Sequence, residues 1–182
     1  MDADDAGLVL IRAVTGGFFF CHGALMLGWF GGGSFARTKA GFERMGFRPL
    51  LPFAISAPGT QLVCGLMVLL GFLWPVGPAF LVGPMLVAVV GVHWPRIWVT
   101  EQGIEYPLVM GVVMLGLGLL PAGELSLDNA LGIELPALPT FAVALALTLV
   151  PSIVALVTSR SVRRARAAAA ANADAAPAAP QA

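Results

Sequence analysis

Residues 17–33 read GFFFCHGALMLGWFGGG. One histidine, His22, stands inside an apolar run that begins near Leu8 and ends in a cluster of glycines. A charge or an unpaired donor is costly in such surroundings. What this histidine does therefore depends on what encloses the run.

The chain has 182 residues, 58% of them hydrophobic and only 11% charged. Its mean hydropathy is +0.89. A soluble domain carries about 25% charged residues. The charges here are clustered, which leaves several apolar stretches of transmembrane length. These features predict an all-α integral membrane protein. No basic face interleaved with aromatics points to nucleic acid. The opening MDADDAG holds three aspartates and no basic n-region, so the first stretch is expected to stay in the protein as a span.

Five spans can be drawn, over residues 8–30, 51–74, 76–94, 106–121 and 138–158. At 1.5 Å of rise per residue most match a hydrocarbon core of about 30 Å, and the fourth is short. Pro107 suits the first turn of the fourth helix, and Pro151 is expected to kink the fifth. Between spans two and three, Pro75, Gly77 and Pro78 break and turn the chain.

Arg37, Lys39, Arg44, Arg48, Arg96, Arg160, Arg163, Arg164 and Arg166 all fall on one side of a five-span chain. The other side carries Asp2, Asp4, Asp5, Glu124, Asp128 and Glu134 and no basic loop residue. The positive-inside rule then places the N-terminus outside and the C-terminus in the cytoplasm. Trp29, Trp74, Trp94 and Trp98 lie near span ends, where interfacial aromatics belong. Residues 35–46 are expected to form a short helix on the inner surface, capped by Ser34, with Phe35, Phe42 and Met45 on one face and Gly46 at its end. Residues 1–7 form an acidic outer segment. Residues 159–182 form a basic and then Ala/Pro-rich tail, expected to be disordered.

Few side chains within the spans can ionise. His22 lies roughly 12 Å and Gln61 roughly 15 Å from the inner face. His93 ends span three, and Glu105 and Tyr106 open span four, on that same side. A polar pocket in the inner half of the bundle would satisfy these residues together. Each also has a plainer role. His22 can fix packing by an interhelical hydrogen bond, Gln61 can act as interhelical glue, and His93 and Glu105 can meet water and headgroups. Arg12 is expected to snorkel outward toward the aspartates. Cys21 and Cys64 read as small buried apolar residues, and no Cys/His spacing indicates a metal site. The GWFGGG turn lacks the strand and the Gly-Lys-Ser of a phosphate loop.

The stretches LIRAVTGGFFFCHG, GWFGGG, GLMVLLGF, VAVVGVHWP and GIEYPLVM, in this order over residues 8–128, resemble the DoxX family of small bacterial membrane proteins. The resemblance implies a four-helix bundle, to which residues 138–158 add a fifth, C-terminal transmembrane helix. It also implies a bacterial cytoplasmic membrane and a redox-linked role. DoxD-type relatives belong to a thiosulfate:quinone oxidoreductase. Some DoxX proteins are linked to membrane complexes that gather oxidative-stress and thiol enzymes. The chain departs from the family pattern in two places. Leu25 and Met26 follow the His-Gly where Gln-Lys is frequent, and Gln61, Cys64 and Gly65 replace an acid with a Gly-Gly pair. Both changes remove charge from the pocket.

Two functional classes follow. In the first, a quinone sits among His22, Gln61, His93, Glu105 and Tyr106, and electrons pass to or from a partner subunit, since no motif for a bound electron donor is visible. In the second, the chain is a non-catalytic anchor. Arg44, Arg48, Arg160, Arg163, Arg164 and Arg166 then contact anionic lipid or recruit cytoplasmic redox enzymes. Haem ligation by His22 and His93 is disfavoured, because their depths differ by roughly 10 Å. Whether the chain catalyses a reaction is left open.

Overall fold

The computed structural model describes residues 3–174; residues 1, 2 and 175–182 lie outside that description. Helix α1 (Ala3–Leu27) is followed by a single 3-10 turn at Trp29–Gly31. Next come α2 (Phe35–Arg44), α3 (Leu50–Leu70) and α4 (Val76–Val87), which continues as a π-helical segment, Ala88–His93. A second 3-10 turn (Val99–Glu101) leads to α5 (Glu105–Leu119), the short α6 (Leu127–Leu131) and the long α7 (Ala137–Asp174). No strand occurs among the described residues.

The burial pattern is that of a membrane protein. Leu10, Phe18, Val63, Val112, Val143 and Val154 are all at least half exposed, while Arg12, Gln61, Asp128, Thr148 and Ser159 are buried. In water that arrangement would be costly, but beside lipid tails the outward leucines and valines lose nothing. Among the described residues four helices are long and apolar enough to cross a bilayer: α1, α3, α4 with its π segment, and α7 as far as Ala169. Helix α5 has 15 residues, about 22 Å at the usual rise.

Contacts between helices set their directions. Gly16 of α1 lies against Gly65 and Leu69 of α3, and Gly23 against Pro58 and Leu62, so this pair is antiparallel. A Cβ on Gly16 would meet the Leu69 nitrogen at 2.5 Å, and one on Gly65 would meet the Phe20 nitrogen at 2.5 Å. Only glycine allows backbones this close. Gly83 and Gly91 of α4 approach Thr148 and Leu156 of α7, so these two helices run parallel. Met85 of α4 touches Gly111 of α5, and Gly118 of α5 touches Phe141 of α7. Helix α5 thus returns the chain between two parallel neighbours.

At the end of the bundle where α1 starts, one polar knot joins four elements. Arg12 donates to the carbonyls of Val68 and Leu69, the last turn of α3, and to Ala122 and Leu125 in the α5–α6 connection. Gly71 ends α3 in the left-handed region (φ +65), with its own N–H and that of Phe72 returned to Val68 and Met67. Asp128 accepts from the Leu73 and Trp74 N–H groups at 2.8 and 2.7 Å. Asp5 accepts from the Glu124 N–H at 3.0 Å. Arg12 is therefore not a snorkelling arginine: at 2% exposure it caps carbonyls that would otherwise face lipid unsatisfied. Trp74 also departs from the interfacial reading. It is buried, and its indole N–H donates to Leu120 at 2.8 Å, whereas Trp29, Trp94 and Trp98 are exposed.

The opposite end carries α2. Ser34 accepts from the Arg37 N–H at 3.1 Å, and Phe42 is buried. Gly46, at φ +80, lies against the Ser159 carbonyl of α7, which a Cβ there would meet at 3.0 Å. Arg166 donates to the Glu43 carbonyl at 3.3 Å. Helix α7 does not stop at residue 158 but continues through the arginines and the alanine run to Asp174. The disordered tail expected over 159–182 is helical that far, because alanine is the strongest helix former and the neighbouring α2 supports the first turns. Residues 175–182 of that tail lie outside the described residues.

Prolines inside helices leave carbonyls without their usual donors. Pro84 frees the carbonyl of Phe80, and the Thr148 hydroxyl donates to it at 3.0 Å. Thr148→Val keeps the shape and removes that donor. The expected cost is about 1–3 kcal/mol, readable as an earlier thermal transition in detergent; an unchanged transition would mean the carbonyl finds another donor.

Candidate functional site

Between α1 and α3 on one side and α7 on the other lies a cavity of about 480 Å³. Its floor is α4, with Phe80, Pro84 and Met85, continued by Val92 and His93 of the π segment. Helix α2 and the turn after it close one end with Phe42, Met45 and Phe47. Phe47 stands edge-on to both Phe42 and Phe53, with ring centroids 5.2 Å apart in each pair. The size falls within the roughly 300–1,000 Å³ usual for small-molecule sites.

The tight α1–α3 crossing creates the polar wall. Gly23, next to His22, packs on Pro58 and Leu62, and Gly65, one turn beyond Gln61, packs on Gly16 and Phe20, which brings the two backbones together. The His22 Nδ1–H then donates to Gln61 Oε1 at 2.7 Å. The Gln61 amide nitrogen turns to the Met26 sulfur at 3.6 Å, and the side chain is only 4% exposed. The Met26 thioether thereby completes the glutamine's bonding. His22 itself is exposed on the cavity rim. With Nδ1 committed, its Nε2 has no partner among the described residues.

His93 reaches the same cavity from the other side. The π-helical turn beginning at Ala88 changes the phase of the last residues of α4, a distortion that recurs at functional sites. The His93 Nδ1–H donates to the Gln102 carbonyl, which again leaves Nε2 as the uncommitted nitrogen. Helix α7 contributes Leu147, Thr148, Pro151 and Ser152. Since α7 packs on α4 rather than on α3, exposed Ser56, Leu147 and Pro151 mark a side opening toward the surrounding lipid.

Of the five residues expected to share a pocket, the structure brings His22, Gln61 and His93 together and leaves out Glu105 and Tyr106. The reason is the phase of α5. Pro107, Met110, Gly111 and Met114 face the bundle, so Glu105 and Tyr106 face away. The Glu105 carboxylate accepts from the Val99 N–H at 2.9 Å and organises the α4–α5 loop. Tyr106 is half exposed. Gln61 bonds His22 across the α1–α3 contact, the interhelical role also open to it from the sequence. The aromatic end wall, the side opening and the contribution of α7 were not anticipated from the sequence. Pro84 and Pro151, visible there, mark two of the helices that shape the space.

Arg44, Arg48, Arg160, Arg163, Arg164 and Arg166 are exposed at the α2 end of the molecule, outside the cavity. Cys21 is exposed and Cys64 buried, and both are free thiols.

A family model, DoxX, matches residues 7–94. These residues run from α1 to the end of the π segment and supply every wall of the cavity except that from α7. Comparison with curated proteins and with solved structures returns no match.

Proposed function

The chain belongs to the DoxX family through residues 7–94, and from that premise we propose that it is a redox-linked membrane protein whose cavity takes a quinone-type ring. In this reading it works with partner subunits in oxidative or thiol stress, or in sulfur oxidation. The observation that carries the reading is the cavity itself: an aromatic and thioether end wall, two imidazole side chains with uncommitted Nε2 atoms, and an opening to lipid. A quinone supplies reversible two-electron, two-proton chemistry when bound. His22 and His93 would hold the ring's oxygens, and Phe42, Phe47 and Phe53 would cover its edge. A proton received at His22 Nε2 is balanced by Gln61 Oε1 at Nδ1. With Glu105 and Tyr106 outside the cavity, His93 is the titratable group nearest the inner end, and the proton route runs past it. Five crossings, with the N-terminus outside a bacterial cytoplasmic membrane and the C-terminal helix in the cytoplasm, belong to the same proposal. They are supported by the parallel course of α4 and α7 and by the one-sided basic residues.

The test is a reduced-minus-oxidised difference spectrum of protein purified in mild detergent, beside a His22→Ala variant. A quinone ultraviolet change in the wild type, reduced about tenfold in the variant, is expected from the loss of one hydrogen bond to the ring. A flat wild-type spectrum with a quinone-free lipid extract would overturn the reading.

One observation favours a second reading, a membrane anchor for cytoplasmic redox enzymes. Helix α7 carries Arg160, Arg163, Arg164 and Arg166 outward on a continuous helix braced by Glu43 and Gly46 beside Arg44 and Arg48. Such a platform suits an acidic partner, and co-purification of that partner is expected to fall with added salt. Salt-independent co-purification would reject electrostatic docking.

A further inference from the structure

The hydrogen-bonding polarity of the cavity is lopsided. The His22 Nδ1–H is committed to Gln61, and the His93 Nδ1–H to the Gln102 carbonyl. The Thr148 hydroxyl donates to Phe80, and the Ser152 hydroxyl donates to Thr148 at 2.7 Å. The Ser56 hydroxyl points to the Phe53 carbonyl at 3.5 Å. The donors left over are the Thr60 hydroxyl and the second N–H of Gln61, which is 4% exposed. Against them stand two imidazole Nε2 atoms, each purely an acceptor in the neutral ring once Nδ1 carries the proton.

The backbone leans the same way. Pro84 and Pro151 both line the cavity, and each leaves the carbonyl four residues before it without its helical donor. Pro151 also frees the carbonyl of Leu147, which no side chain among the described residues serves. The Phe80 carbonyl is taken by Thr148, so the lone pairs offered to whatever occupies the space are chiefly those of the two imidazole Nε2 atoms.

We infer that the cavity selects a ligand that donates hydrogen bonds: the reduced, dihydroxy form of a ring dissolved in the bilayer, in preference to its oxidised dione. The inference rests on the quinone reading above and adds to it which redox form the site prefers. A dione brings only acceptors and would face the two Nε2 atoms lone pair to lone pair. A diol satisfies both nitrogens at once, and any alkyl chain on the ring leaves through the opening beside Ser56, Leu147 and Pro151. Gln61 is a positioning residue, because its Oε1 holds the imidazole in the Nδ1–H tautomer.

The experiment compares a decyl-substituted benzoquinol with its benzoquinone. Each is titrated anaerobically into the full-length protein in lipid nanodiscs, with affinity read by equilibrium dialysis. The quinol is expected to bind about tenfold more tightly, which raises the midpoint potential of the bound pair by about 30 mV. Equal affinities, or tighter binding of the quinone, would overturn the inference while leaving the quinone reading standing. Binding of neither form would overturn both. Gln61→Leu keeps the ring but releases its tautomer, and is expected to bring the two affinities within twofold of each other. If Gln61→Leu binds both forms as the wild type does, tautomer control by Gln61 is wrong.

Discussion

Arg12→Met is expected to destabilise the protein by about 3–5 kcal/mol, the cost typical of removing one partner from a buried polar network. The substitution keeps the apolar stem of the side chain and removes only its head. Four carbonyls, from Val68, Leu69, Ala122 and Leu125, then lose a donor together. Asp128 keeps its bonds to the Leu73 and Trp74 N–H groups but loses the nearby cation. Water cannot replace the guanidinium at a site 2% exposed. The α5–α6 connection should detach from the end of α3 and fray the start of α4. Size-exclusion traces after a heating series would show this as an early loss of the monodisperse peak. Arg12→Lys should fall between, because one ammonium carries three donors and cannot span all four carbonyls. A methionine variant that survives heating as the wild type does would mean that the knot contributes little.

Gly16→Leu and Gly65→Leu are expected to come next in severity, and to strike stability and ligand binding together. Each places a side chain where even a Cβ would lie 2.5 Å from the backbone of the facing helix. Helices α1 and α3 must separate, at a cost of more than about 2 kcal/mol. His22 and Gln61 sit within this contact, so their 2.7 Å bond is pulled apart as the helices move. Gly17 is the internal control. It is adjacent in sequence, but a Cβ there meets nothing within 4 Å. Gly17→Ala should therefore be neutral, or stabilise by roughly 0.5–1 kcal/mol through helix propensity. The check is a melting curve and a quinone-analogue titration on all three variants. If Gly16 and Gly17 substitutions behave alike, the close crossing is not what holds the site.

Membrane character was legible in the residues because partitioning into a bilayer is nearly a sum over local side chains. An apolar stretch near twenty residues long announces itself without reference to any other part of the chain. That His22, Gln61 and His93 lie toward the same end of the bundle was legible for a similar reason: position along a span follows from residue count and helical rise. Glu105 and Tyr106 had the right depth too. What excluded them is the rotation of α5 about its axis, which depends on Met85 and Gly111 packing together and not on distance along the chain.

The same division separates the arginines. Those of α2 and α7 are polar residues beyond apolar stretches, and their clustering is plain from the sequence. Arg12 resembles a stray charge near a span end, and nothing local shows that its four acceptors lie 56 to 113 residues away. Trp74 is comparable: it occurs where interfacial aromatics occur, yet its indole is buried against Leu120. Composition and span length are additive, so residues read one at a time were enough for the class of protein and its apolar helices. Which polar groups meet, and which way each donates, depends on helix rotation and register. Those were settled where Gly16, Gly23, Gly65 and Gly83 let backbones touch, because a glycine permits a close approach without stating what will make it.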